Sequence, residues 1–213
     1  MSRDDFYASP FGIAYSAYME RPRLSQLIAR AVWGGDSRPY YESMGAIRET
    51  KDGETIVDCP CGAGVALREL EPGRELRYIA LDLSPSMLRR TRKRIDRRGL
   101  RQVEVAQADA TEIPLPGETA DLFLSYWGLH CFDDPAAALA EAARVLKPGG
   151  RLVGSTFVRG RDSLRQRLIR PGAGDFGNPG TAEEVPRWLE ATEFSDMRIR
   201  RSGPMLFFDA RLG

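Results

Sequence analysis

Residues 54–64 read ETIVDCPCGAG. Thr55, Ile56 and Val57 are apolar or β-branched and too few for a helix, so they predict a buried strand. Asp58 closes that strand. Gly62 and Gly64 then supply a turn whose backbone can take positive φ and come close to a ligand. Residues 65–70 (VALREL) resume a helical pattern behind it. Strand, Gly-rich turn and helix open a nucleotide-binding βαβ unit, with the ligand at the helix N-terminus. Paired glycines between a strand and a helix are also found as plain tight turns, so the flanking sequence has to decide.

Downstream, the alternation repeats. Residues 78–81 (YIAL) predict a second buried strand with Asp82 at its carboxyl end. Ser84 is placed as an N-cap and Pro85 as the first residue of a helix over 85–98. An acidic residue about twenty positions past the glycines is placed to accept from ribose hydroxyls, although it also suits an exposed strand end. The helix carries seven basic residues, Arg89, Arg90, Arg92, Lys93, Arg94, Arg97 and Arg98. With Met87, Leu88 and Ile95 as its inner side, those charges read as a solvated outer face rather than a phosphate site. Residues 102–108 (QVEVAQA) predict a third strand ending at Asp109 and Ala110. Residues 120–125 (ADLFLS) predict a fourth, and 135–146 a helix capped by Asp134. Lys147-Pro148-Gly149-Gly150 predicts a sharp turn into a fifth strand over 151–158. Such repeated strand–helix alternation requires a parallel sheet covered on both faces.

Upstream, residues 1–20 are dense in aromatics (Phe6, Tyr7, Phe11, Tyr15, Tyr18), too dense for a disordered tail. Two readings stand: a lid over a ligand cleft, or a helix whose stripe at 11, 15 and 18 anchors the N-terminus. Residues 22–33 predict an amphipathic helix ended by Gly34-Gly35. Asp36 or Ser37 is then placed to cap a helix over 38–50.

The chain has 213 residues, enough for one domain with a sizeable core. Its net charge of +1 speaks for neither nucleic acid nor a membrane surface. No basic segment followed by an apolar run stands at the N-terminus, and no apolar stretch is long enough to span a bilayer. Three cysteines, two of them tight in Cys59-Pro60-Cys61, predict reduced thiols in a cytoplasmic protein and no metal site.

Four segments resemble, in order and spacing, the class I S-adenosylmethionine-dependent methyltransferases, in the subgroup similar to quinone-biosynthesis and other small-molecule enzymes. They are VDCPCGAG (57–64), ALDLSPSML (80–88), QADATEIPLPGETADLF (107–123) and LHCFDDPAAALAEAARVLKPGGRL (129–152). The segments 181–194, 196–201 and 205–211 are similar to the family's last helix and closing hairpin. The resemblance implies an α/β fold: a Rossmann-like, seven-stranded, mostly parallel sheet with helices on both faces, an antiparallel C-terminal strand and an N-terminal helical cap. The expected layout is one domain, with the cap over 1–53, the cofactor-binding core over 54–160, an insertion over the cleft at 161–180, and the last helix and hairpin over 181–213. Within the insertion, 162–170 reads as a short helix followed by a loop that either closes the cleft or merely connects.

The resemblance also implies ligand positions for S-adenosyl-L-methionine and its product S-adenosyl-L-homocysteine. The Gly62–Gly64 turn would hold the methionine moiety, with Asp58 fixing the turn. Asp82 would bind the ribose hydroxyls, Leu83 and Met87 would border the adenine, and Asp109 with the Ala110 N–H would read it. The Ser125 and Tyr126 backbone would lie near the sulfonium. Tyr15, Tyr18, Trp127 and His130 are the candidate acceptor-binding residues. His130, the single histidine, reads either as a base for the acceptor or as a structural residue bonded to the backbone.

One departure is Pro60, where the family usually has the first glycine of the turn. Proline fixes φ and removes an N–H, so a turn needing either at 60 would be altered. Methyl transfer is an in-line displacement at a cationic sulfonium, so alignment in a dry pocket supplies most of the acceleration, and a base is needed only for an acceptor of high pKa. The aromatic candidates favour a small apolar or aromatic acceptor, methylated on oxygen, carbon or nitrogen. Ser125-Tyr126-Trp127-Gly128 lacks the Asn/Asp-Pro-Pro-aromatic tetrad of the base-amino methylases, which argues against nucleic acid. Two alternatives remain open: a non-catalytic S-adenosylmethionine-binding protein and, more distantly, a nicotinamide-dependent dehydrogenase, whose glycine fingerprint Leu67 interrupts.

Overall fold

The computed structural model describes residue 14 and residues 17–159 and 179–213. Tyr15, most of the aromatic N-terminal segment and nearly all of the 161–180 insertion, with its expected helix at 162–170, lie outside the described residues.

After the first strand, β1 (Thr55–Asp58), come β2 (Arg77–Asp82), β3 (Val103–Gln107), β4 (Ala120–Tyr126), β5 (Leu146–Phe157), β6 (Phe194–Ser202) and β7 (Met205–Leu212). They form one seven-stranded sheet in the order β3-β2-β1-β4-β5-β7-β6. The pairs from β3 through to β5 are parallel, while β7 runs antiparallel to both its neighbours. The chain therefore leaves β1 toward one edge and returns at β4 to build toward the other. Side chains alternate along each strand, so two cores result. Ile56, Tyr78, Leu122 and Leu124 pack on one face with Tyr40, Met44 and Ile47 from the N-terminal helices. Val57, Ile79, Phe123 and Leu152 pack on the other with Leu139, Val145 and Leu189.

The helices follow the capping chemistry, with corrections. Pro22–Ile28 is α1, continued by a wider turn over Ala29–Trp33 and stopped by Gly34 at φ +63°. The expected helix over 38–50 is two pieces, α2 (Arg38–Ser43) and α3 (Ala46–Glu49). Between them, Gly45 N donates to Glu42 O and Ile47 N to Met44 O, tight i→i+3 bonds that break the α ladder. Of the two candidate caps, Asp36 provides the bond, accepting from Arg38 N at 2.9 Å. The stretch behind the Gly-rich turn is a single 3₁₀ turn, Ala66–Glu69. The helix α4 (Pro85–Arg98) matches expectation, with Ser84 Oγ accepting from Met87 N at 3.3 Å. So does α5 (Pro135–Val145), where Asp134 accepts from Ala137 N at 3.0 Å. The KPGG segment lies within β5 as a bulge: Ala120 pairs with Leu146, and Leu122 next with Arg151. The last helix, α6, is Glu184–Ala191. No described helix is long and apolar enough to cross a membrane.

Candidate active site

In an open α/β sheet, ligands bind beyond the carboxyl ends of the strands where the strand order reverses. Here that point lies between β1 and β4. Asp58, Asp82 and Tyr126 end β1, β2 and β4, and Asp109 follows β3, so the sequence places all four on this edge.

The turn after β1 takes its left-handed backbone at Gly62 (φ +54°) and Gly64 (φ +70°), not at residue 60. A Cβ on Gly62 would meet nothing within 4 Å, which leaves its backbone approachable, whereas one on Gly64 would press on Leu67 and Thr91 at 3.0–3.2 Å. The turn is tied down by Cys61 N to Leu81 O at 2.8 Å, Gly62 N to Asp82 Oδ2 at 2.8 Å, and Thr91 Oγ1 to Gly62 O at 2.7 Å. The missing N–H at Pro60 sits between two that are used, Cys59 N to Leu124 O at 2.9 Å and that of Cys61. The proline ring fills the space above Gly128, where an added Cβ would stand 2.6 Å from Pro60 Cδ. The substitution at 60 is thus matched by a glycine on the facing loop.

The acids divide their work differently from expectation. Asp82, not Asp58, fixes the turn, and its other oxygen accepts from Ser84 N at 2.9 Å. Asp58 follows Ile56 on the face toward the N-terminal helices, and its Oδ2 accepts from the Tyr78 hydroxyl at 2.7 Å rather than from a backbone N–H of the turn. Its Oδ1 has no partner. Burial raises the Asp58 pKa from 3.8 to about 7, partly offset by the Tyr78 hydrogen bond and reinforced by the Asp82 charge.

Beside them, Leu83 is 55% exposed while Met87 is buried. Gln107 Nε2 donates to Leu83 O at 3.0 Å, joining the ends of β2 and β3. Asp109 is exposed, and its Oδ1 accepts from Thr111 N and Oγ1 at 2.8 Å each; Ala110 is buried behind it. Asp82, Leu83 and Met87 follow the end of β2 and Asp109 and Ala110 the end of the paired β3, while Ser125 lies buried on β4, beyond β1.

On the other side of the switch point, aromatic rings gather. Trp127 stacks on Phe157 (centroids 4.7 Å apart, 26° between planes) and meets Tyr40 at 5.3 Å; Tyr40 meets Tyr126 edge-on at 5.4 Å. Burial pushes the Tyr126 hydroxyl well above its ordinary pKa, and that oxygen, near Ser43, makes no hydrogen bond of ordinary geometry. Tyr18, Ile28, Trp33, Trp127, Phe157 and Met205 line a small pocket here. Tyr40, Trp33 and Phe157 were not singled out in the sequence. Trp33 and Tyr40 come from the N-terminal helices and Phe157 from the end of β5, and no pattern in the sequence links the two regions.

His130 is buried, and its Nδ1 accepts from the Phe157 amide at 3.3 Å and contacts Thr156 Oγ1 at 3.2 Å. Its ring stands edge-on to Phe157 at 5.1 Å. The structural reading paired it with a backbone carbonyl; the backbone bond described here comes instead from an N–H. Accepting from that N–H at Nδ1, the neutral ring carries its proton on Nε2.

A methyltransferase-domain family model matches residues 57–154. A demethylmenaquinone methyltransferase of Thermus thermophilus is 35% identical over 182 residues, covering 80% of this chain and 81% of that protein. The chain belongs to the class I S-adenosylmethionine-dependent methyltransferases. It is also 35% identical over 151 residues to an uncharacterized chloroplastic methyltransferase of Arabidopsis thaliana. It spans 42% of the length of that relative, 62% of a second from the same plant, and 56% of a malonyl-[acyl-carrier protein] O-methyltransferase of Hahella chejuensis. Among solved structures, a SAM-dependent methyltransferase from Aquifex aeolicus aligns with a TM-score of 0.63 at 22% identity, over 92% of this chain and 98% of that one. Phosphoethanolamine N-methyltransferase 2 of Haemonchus contortus, in complex with S-adenosyl-L-methionine, aligns with a TM-score of 0.78 at 16% identity, over 100% of this chain and 60% of that one. At such identities these neighbours speak for the fold. Family membership sets the dehydrogenase alternative aside.

Proposed function

We propose that this methyltransferase-family chain transfers the methyl of S-adenosyl-L-methionine to oxygen, carbon or nitrogen of a small, uncharged, apolar or aromatic acceptor. One observation carries the reading: the buried side-chain polar atoms without a partner, among the described residues, are Asp58 Oδ1, Tyr126 Oη and Trp127 Nε1, all around the β1–β4 switch point. Buried polar groups are nearly always satisfied, so a cluster of orphans at the fold's ligand crevice points to a ligand's own polar groups.

The residues present fit the cofactor. Gly62 leaves open space over the turn, and Asp58 Oδ1 is an acceptor facing no donor, suited to a cationic amino group. Asp82, whose two oxygens accept from Gly62 N and Ser84 N, stands at the carboxyl end of β2, where ribose hydroxyls are expected. Leu83 and Met87 offer apolar surface to adenine, with Asp109 and Ala110 beside it and the Ser125–Tyr126 backbone across the crevice. When bound there, the cofactor supplies an electrophilic methyl group on a positively charged sulfonium. The chain's part is to orient the acceptor and exclude water, which the packed rings of Tyr40, Trp127 and Phe157 are suited to do. Tyr18 and Trp127 line the acceptor side; Tyr15 is the remaining expected member. His130 is read as a support for the Phe157 end of that ring stack rather than as a base.

No charged side chain lines the pocket among the described residues, so a phosphate or carboxylate acceptor would be buried without a counter-charge. The relatives include demethylmenaquinone and ubiquinone/menaquinone-biosynthesis methyltransferases, which agrees with an uncharged ring. Nucleic acid is not among the expected partners. Calorimetric titration with S-adenosylhomocysteine, with NADH as control, tests the assignment: binding of the former alone is expected. The Asp82→Ala variant should lose at least about tenfold in that affinity, since a buried charged acceptor is worth roughly 1.5–3 kcal/mol. Undiminished binding in the variant would remove Asp82 from the site.

A further inference from the structure

Trp127 combines three features that packing alone does not require. First, its backbone is left-handed, φ +55°, a region a bulky side chain occupies only when its surroundings force it. Its N–H is held by Ser155, at 2.8 Å from the carbonyl and 3.3 Å from the hydroxyl. The next residue is closely packed: a Cβ on Gly128 would stand 2.6 Å from Pro60 Cδ and 2.8 Å from Ser125 Oγ. Second, the ring is clamped: it lies on Phe157 and against Tyr40 and Phe207, the last at 6.0 Å. Third, the indole Nε1–H of this clamped ring is buried and unpartnered, although Trp127 lines the pocket. A buried indole N–H normally finds an acceptor. The two serines on the pocket wall are differently placed: Ser25 Oγ donates to Ser37 Oγ at 3.3 Å.

From this geometry we infer that Trp127 is the residue that reads the acceptor, donating its Nε1–H to a carbonyl, ether or hydroxyl oxygen on a flat, uncharged ring seated in the pocket. The strained backbone holds the indole in one pose. The rings around it supply apolar surface for the flat body, and the N–H discriminates an oxygen-bearing ring from a plain hydrocarbon. Left unanswered in the dry pocket, that donor penalises the hydrocarbon, which is how buried polar groups generate selectivity.

This assignment rests on the methyl-transfer reading, and two probes keep the two apart. The protein, saturated with S-adenosylhomocysteine, is titrated with 1-tetralone, whose ring carries a carbonyl, and with tetralin, which lacks it. The wild-type chain should favour 1-tetralone about five- to tenfold, the range of one net hydrogen bond in a buried site. Trp127→Phe keeps an aromatic ring and removes the donor, so the preference should fall to within about twofold while S-adenosylhomocysteine still binds. A preference that survives in Trp127→Phe overturns the assignment, as does a wild-type chain that binds both probes alike or neither. Failure of the wild-type chain to bind S-adenosylhomocysteine overturns the methyl-transfer reading, and this assignment with it. Should Trp127→Phe not fold, the wild-type chain answers alone by ¹⁵N-indole NMR, its signals assigned through Trp33→Phe and Trp188→Phe. The Trp127 Nε1–H resonance should move downfield with 1-tetralone and not with tetralin; an unmoved resonance overturns the assignment.

Discussion

At the scale of single residues, the switch point is built from complementary oddities. Pro60 looks like a defect in a glycine turn, yet its φ suits a position that needs no left-handed backbone, and Gly128 makes the room its ring takes. Gly128→Ala should therefore destabilise the chain by about 1–3 kcal/mol through overpacking. Pro60→Gly in the same chain should recover part of that loss, a coupling of at least ~0.5 kcal/mol readable from a urea-unfolding double-mutant cycle. Simple additivity would mean that the two residues do not press on each other. Asp58 makes a prediction about pH. Its folded pKa, about 7, lies above its ordinary 3.8, so the native state holds a proton that the unfolded chain releases. The sign follows: its contribution is fully present below about pH 4 and is lost as pH rises toward about 7, at up to ~1.4 kcal/mol per pH unit. Asp58→Asn, which can still accept from the Tyr78 hydroxyl, lacks that slope. Its stability relative to the wild-type chain should rise between pH 5 and pH 7 in urea titrations; a constant difference would place Asp58 in a more polar setting than the structure gives it.

At the scale of elements, α4 shows what a charge run can conceal. The sequence reads its seven basic residues as a solvated face, and Arg89, Arg92, Lys93 and Arg97 are indeed exposed. Arg98 instead turns back to donate to Leu67 O and Leu70 O, and Arg94 to Ala63 O at 3.1 Å and to the Glu20 carboxylate. Ala63 O belongs to the Gly-rich loop before the 3₁₀ turn, Leu67 O lies within the turn, where it also accepts from Leu70 N, and Leu70 O follows it with no further helix to supply a donor. The site's turn is thus braced by the helix of the next βα unit. Arg98→Ala should cost about 1–3 kcal/mol by leaving Leu70 O short of a donor and Leu67 O with only Leu70 N, while Arg89→Ala should stay within ~0.5 kcal/mol. Equal effects in urea unfolding would return the whole run to solvent. The split of the expected 38–50 helix has a similar origin. Gly45, a poor helix former, stands at its middle, tight i→i+3 bonds around it break the ladder, and Tyr40, Met44 and Ile47 still reach the sheet.

At the scale of the molecule, five parallel strands present Asp58, Asp82, Asp109 and Tyr126 along one edge, and the N-terminal helices close one side of it with rings. A cofactor that joins the two sides of the switch point binds the folded chain and not the unfolded one. At about 100 times its dissociation constant, S-adenosylhomocysteine should add ~2.7 kcal/mol of stability, which for a chain of this length raises Tm by roughly 5–10 °C. A Tm that stays put in thermal unfolding at that concentration would count against the site.

Much of this was readable along the chain, because it depends on neighbours in sequence. Strands end in acids, Ser84 and Asp134 cap their helices, and Gly62 and Gly64 carry the turn, all through contacts of a few residues and a periodicity that the fold preserves. Four motifs in family order sufficed for the sheet and for the cofactor side of the crevice. What only tertiary structure decided involves partners far apart in sequence. Pro60 meets Gly128, Arg98 meets Leu67, Tyr40 meets Trp127, and the Phe157 amide takes the lone pair of His130. Even the turn bond expected of Asp58 is made by Asp82, twenty-four residues on, because side-chain direction at a strand end depends on which face the sheet turns toward the helices. Local pattern determines where a residue stands; what its side chain touches is settled by the packing of the layers.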